Sequence, residues 1–97
     1  MSFVRDEVAA DLARIRHNID EVDQVLVKLL NQRAKWALEI GEVKKSAEIA
    51  IYQPSREAQV LEMVREANKG PLQPDAIKRL FERIIDESRR LERVGTS

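Results

Sequence analysis

Cysteine is absent from the 97 residues, and glycine and proline occur only three times each. Without cysteine there is neither a disulfide framework nor a thiol nucleophile. With so few glycines the chain has no Gly-rich phosphate-cradling loop. Net charge is absent too: seventeen basic side chains balance seventeen acidic ones. Bulk charge therefore gives no reason to expect nucleic acid or an anionic membrane as a partner. No apolar run approaches the ~18 residues of a membrane span, and the opening "MSFVRDEVAADLARIR" lacks the apolar core of a signal peptide. A cytoplasmic protein is the expectation. The single histidine, His17, has no partner at ligand spacing, so no metal site is expected.

What is present favours helix. Hydrophobic residues make up 43% and charged residues 35%, with Ala, Leu, Glu, Arg and Lys prominent and aromatics at only 4%. No Gly or Pro occurs before Gly41. In that span Leu12, Ile15, Ile19, Val22, Leu26 and Leu29 recur at alternating steps of three and four, a heptad-like seam. The expected elements are a first helix over about 6–46, a second over about 54–68 and a third over about 74–93, within one domain, 1–97. "SAEIAIYQPS" interrupts the first pattern, and Gly70-Pro71 stops the second. The third helix opens on Pro74-Asp75, carries Ile77, Leu80, Phe81, Ile84, Ile85 and Leu91 on one face, and ends at Gly95. A helix of some forty residues is ~60 Å long, roughly twice the diameter of a compact domain of this size. Its seam stays apolar along the overhang. The expected fold class is therefore all-α, three helices per chain in an intertwined, obligate homodimer.

Polar residues interrupt the apolar faces. Continuing the first seam past Leu29 lands on Arg33, Trp36, Ile40 and then Lys44. On the third helix, Ser88 falls among Ile77, Phe81, Ile84 and Leu91, and Glu92 shares its side. Arg16 flanks the seam one turn after Leu12. Each has an ordinary structural explanation: stems folded over apolar surface, exposure near a helix end, or a serine bonded back to its own helix. Together, two cations on one buried face call for anions, of which the seam offers few, and an unpaired charge in a core costs about 3–5 kcal/mol. A small, multiply anionic ligand would satisfy both, arginine being suited to gripping a carboxylate through paired hydrogen bonds. At the start of the second helix, Glu57 suits the dipole and Arg56 opposes it. "ESRRLER" reads as a solvated face rather than a nucleic-acid patch.

Three segments carry a family resemblance: "IRHNIDEVDQVLVKLLNQRAKWALEIGEVK", "IYQPSREAQVL" and "RLFERIIDESRRLE". With Arg16, Asp23, Leu30, Arg33, Gly41 and Lys44 in the first, Arg56-Glu57 in the second and Ser88 in the third, the chain resembles the all-helical (AroQ) class of chorismate mutases over residues 12–92. That resemblance implies an isomerase that rearranges chorismate to prephenate, toward phenylalanine and tyrosine, in an intertwined dimer with two sites and without a cofactor. It implies that each site holds Arg33, Lys44, Arg56, Glu57, Ser88 and Glu92 of one chain, with Arg16 entering from the partner chain. Arg16 and Arg33 would clamp the two substrate carboxylates with help from Ser88, Lys44 would donate to the ether oxygen, and Glu57 would accept from the ring hydroxyl.

Two positions depart from the family pattern. Gln53 stands where an aspartate is frequent; the resemblance implies that its side chain would help shape the loop and its backbone would lie near the ring hydroxyl. Glu92 stands where bacterial relatives often have glutamine. A carboxylate cannot donate to the ether oxygen unless protonated, so Glu92 is expected to act as a neutral acid, favoured by burial and opposed by Lys44. The competing readings are isochorismate–pyruvate lyase, performed by relatives of this fold, and a non-catalytic dimerisation or regulatory module of a shikimate-pathway enzyme. Domains of this type occur fused to such enzymes, and a partner enzyme of that pathway is a further expectation.

Overall fold

The computed structural model describes residues 3–95, leaving Met1, Ser2, Thr96 and Ser97 of the expected 1–97 domain outside the described residues. Three helices follow in order: α1 (Phe3–Ala47), α2 (Pro54–Ala67) and α3 (Pro74–Val94), with no strand among the described residues. Of these, α1 begins three residues before the expected start at 6.

The helix ends follow from local chemistry. Pro54 and Pro74 sit in the first turns of α2 and α3, where a missing N–H has no helical partner to lose. Glu57 and Asp75 add negative charge to those turns, and Lys44 and Lys45 add positive charge to the last turn of α1. Beyond α1 the chain turns through Glu48, at φ 57°, and the Ile49 N–H donates back to the Lys44 carbonyl at 2.8 Å. The α2–α3 turn is closed by Asn68, whose side chain accepts from the Gly70 N–H at 3.1 Å and donates to the Leu72 carbonyl at 2.8 Å. Gly70, at φ 79°, occupies the left-handed region that a side chain would disfavour.

The chain divides into two compact units, Met1–Arg33 and Ala34–Ser97. In the first, a single stretch of α1, every described side chain before Arg33 is exposed. The seam is included: Leu12 is 43% and Val22 58% exposed. One helix cannot bury its own apolar stripe, so this face has no cover within its unit.

The second unit contains the last turns of α1 together with α2 and α3, and α2 packs against α3. Its core is small: Ala37, Gly41 and Ile85 are buried, with Ile77, Phe81, Ile84 and Leu91 half-buried around them. Leu80, placed on the same face by its spacing, is 52% exposed because it falls at the margin of the α3 stripe. The end of α1 crosses α3 at Gly41, where an added Cβ would lie 2.8 Å from the Glu92 Cα. Only a glycine lets the two backbones come that close. This crossing brings Lys44, one turn later on α1, beside the Glu92 side chain.

Candidate active site

Lys44 and Glu92 form the polar centre of the second unit. The Lys44 ammonium donates to Glu92 Oε1 at 2.7 Å and to the backbone carbonyl of Ile51 at 2.8 Å. Both side chains are largely removed from solvent, at 16% and 12% exposure. An ammonium has three donors, so one N–H remains for a further acceptor. Lys44 also lines a cavity of about 500 Å³ with Trp36, Glu39, Ile40, Val43, Ile49 and Gln53. The cavity is thus mostly apolar in its walls, with a cation at its edge whose own anion leaves a donor unused. Such a place favours an oxygen on which negative charge builds up.

A second ion pair stands between α2 and α3. Arg89 grips Glu57 in a two-pronged contact, Nε to Oε2 at 3.0 Å and Nη2 to Oε1 at 2.6 Å. The guanidinium also lies 5.0 Å from the centre of the Tyr52 ring, in the segment between α1 and α2. Arg89 therefore ties α3 to α2 and to the segment that supplies the Ile51 carbonyl and Gln53. The hydrogen bond to Glu57, reinforced by Coulomb attraction to Glu57, Asp86 and Tyr52 and opposed by desolvation, raises the Arg89 pKa above its ordinary value. The sequence reading missed this residue. It placed "ESRRLER" on a solvated face, whereas Arg89 is half-buried with both prongs occupied. The one available signal was its position one residue after Ser88 and three before Glu92, beside the face that carries both.

The remaining candidates occupy distinct settings. Ser88 donates to the Ile84 carbonyl at 2.9 Å, the back-bond open to a mid-helix serine. Arg56 is exposed, and its guanidinium donates to Gln59 Oε1 at 2.7 Å. Gln53 serves as the N-cap residue of α2 without a side-chain cap; its amide donates to the Ala50 carbonyl at 3.1 Å. Arg16 and Arg33 belong to the first unit, the former exposed and the latter half-buried. The structure thus brings Lys44 and Glu92 into direct contact, places Gln53 on the same cavity wall as Lys44, and joins Glu57 to Arg89. Among the described residues no cluster of His, Cys, Asp and Glu could hold a metal ion, and no helix is long and apolar enough to cross a membrane.

Comparison with known proteins places the chain in a family. Residues 15–93 match the family model described as chorismate mutase type II. The chain is 41% identical over 78 residues to a bifunctional chorismate mutase/prephenate dehydratase of Neisseria gonorrhoeae, covering 80% of this chain and 21% of that protein. It is 30% identical over 83 residues to a chorismate mutase of Methanocaldococcus jannaschii, covering 84% of each. It is 33% identical over 82 residues to a 4-amino-4-deoxychorismate mutase of Streptomyces pristinaespiralis, covering 84% of this chain and 64% of that protein. The structure of a Thermus thermophilus chorismate mutase superposes with a TM-score of 0.85 at 28% identity, over 89% of this chain and 98% of that one. The chain spans about a fifth to a quarter of the length of the bifunctional relatives it matches.

Proposed function

The chain belongs to the chorismate mutase type II family, and from that premise we propose that it rearranges chorismate to prephenate. The observation that carries the proposal is the Lys44 ammonium at the edge of an apolar cavity, paired with Glu92 and with one donor left over. The rearrangement is pericyclic: the ether C–O bond breaks as a C–C bond forms within one molecule. It requires neither nucleophile nor general base. Its rate depends on holding a compact reactive conformer and on meeting the negative charge that develops on the ether oxygen.

In this reading the remaining Lys44 donor meets the ether oxygen. Glu92, when protonated, donates to the same oxygen. Arg33, Ser88 and Arg16 of the partner subunit hold the two carboxylates, and Arg56 adds positive charge at the start of α2. Glu57 accepts from the 4-hydroxyl, with Gln53 nearby. The working unit is a homodimer in which the exposed seam of one chain is covered by the other; the uncovered Leu12, Ile19 and Leu26 support this. The setting is cytoplasmic, and the fusion of related chains to prephenate dehydratase supports a partner enzyme that consumes the product.

Incubation with chorismate and, separately, with isochorismate tests the reading. The expected result is prephenate from the first and no pyruvate from the second. Pyruvate released from isochorismate with chorismate untouched would overturn it in favour of a lyase.

A further inference from the structure

Arg89 combines three contacts that the proposed chemistry has not used. It holds both oxygens of Glu57, faces the Tyr52 ring, and lies 3.5 Å from Asp86. The Glu57–Arg89 pair is shielded, at 23% and 26% exposure, whereas Asp86 is 57% exposed and so is screened by water. The two-pronged geometry occupies one lone-pair site on each Glu57 oxygen and leaves one on each unoccupied. A third group can therefore still donate to Glu57, but it meets a carboxylate whose charge is already balanced. A neutral hydroxyl gains a hydrogen bond there and forfeits little. An ammonium gains the same bond but no net Coulomb attraction, and it must stand within several ångströms of a fixed guanidinium.

We propose that Arg89 is a positioning and specificity-determining residue: it aims the Glu57 carboxylate and neutralises it, so that the site takes a hydroxyl rather than an ammonium at the substrate's 4-position. This inference rests on the reading of Glu57 as the acceptor for that hydroxyl. The natural probe is 4-amino-4-deoxychorismate, which differs from chorismate at that one group and whose alkyl amine is cationic near neutral pH.

The test compares kcat/KM for chorismate and for 4-amino-4-deoxychorismate in the parent, Arg89→Gln, Arg89→Lys and Glu57→Gln, each checked for helix content by circular dichroism. The parent should prefer chorismate. Arg89→Gln removes the cation and should shift the ratio toward the amino substrate by about ten-fold, as expected for one charge a few ångströms away in a partly shielded site. Arg89→Lys retains the charge and should keep the parental ratio even if both rates fall. Glu57→Gln leaves Arg89 unbalanced and should move preference further toward chorismate, which keeps the inference testable if Arg89→Gln does not fold. Parallel losses with an unchanged ratio in the neutral variants would reduce Arg89 to a structural tie and overturn the inference alone. A parent that leaves chorismate unchanged would remove the proposed function and this inference with it.

Discussion

Gly41 and Glu92 meet backbone to backbone: a methyl group on Gly41 would lie 2.8 Å from both the Cα and the carbonyl oxygen of Glu92. The side-chain pair Lys44–Glu92, one turn along α1, depends on this approach. In an open helix, Gly→Ala stabilises by about 0.5–1 kcal/mol. Here the neighbour is backbone and cannot rotate away, and overpacking of this kind costs about 1–3 kcal/mol. Gly41→Ala is therefore expected to lower the melting temperature by several degrees and to reduce turnover by moving Lys44 off Glu92. Thermal unfolding followed by circular dichroism checks the first, and a variant as stable as the parent would contradict it.

Glu92 carries a prediction about the donor to the ether oxygen. As a carboxylate it accepts from Lys44 at 2.7 Å and has no proton to give. Only a protonated carboxyl could donate to the substrate. In Glu92→Gln the amide both accepts from Lys44 and donates at every ordinary pH. Glu92→Gln should therefore raise kcat/KM for chorismate above that of the parent at neutral pH. A folded variant slower than the parent would contradict a donor role at this position.

The exposed seam of α1 carries a prediction about assembly. Fully burying one leucine contributes about 1.5–3 kcal/mol, and Leu12, Ile15, Ile19, Val22, Leu26 and Leu29 are all uncovered in the single chain. Sedimentation equilibrium should give a mass twice that of the chain. Leu26→Asp, which sets a charge in the middle of the seam, should yield a monomer with less helix and little activity. A parent that sediments as a folded monomer would contradict the dimer.

The helices, and the places of Lys44 and Glu92 each on the apolar side of its own helix, were legible in the sequence because they rest on short-range signals. The step of three and four ran through Leu29 to Arg33 and Lys44, and the prolines at 54 and 74 marked two helix starts. Glu92 was legible for a similar reason, lying one turn past Ser88 on the same helix. Arg89 was not. Its partners, Glu57 and Tyr52, are more than thirty residues away, and that pairing depends on how α3 packs on α2. Within "ESRRLER" its chemistry looks the same as that of the exposed Arg90 and Arg93. The closeness of α1 to α3 was equally hidden: Gly41 drew notice as part of a motif, but a glycine in a helix does not reveal which backbone it faces. The Ser88 back-bond to Ile84 was anticipated as the structural alternative to a ligand role.

In the proposed function, Lys44 supplies the charge that the breaking ether bond requires. The most direct measurement is kcat/KM for chorismate, with prephenate identified as product, on the purified parent and on Lys44→Ala, in a buffer with no added cofactor. The account predicts turnover by the parent and a loss of at least about a hundred-fold in the variant, the scale expected for one well-placed donor to a developing oxyanion, with helix content and dimer mass retained. A parent that leaves chorismate unchanged, or a folded Lys44→Ala protein as active as the parent, would contradict it.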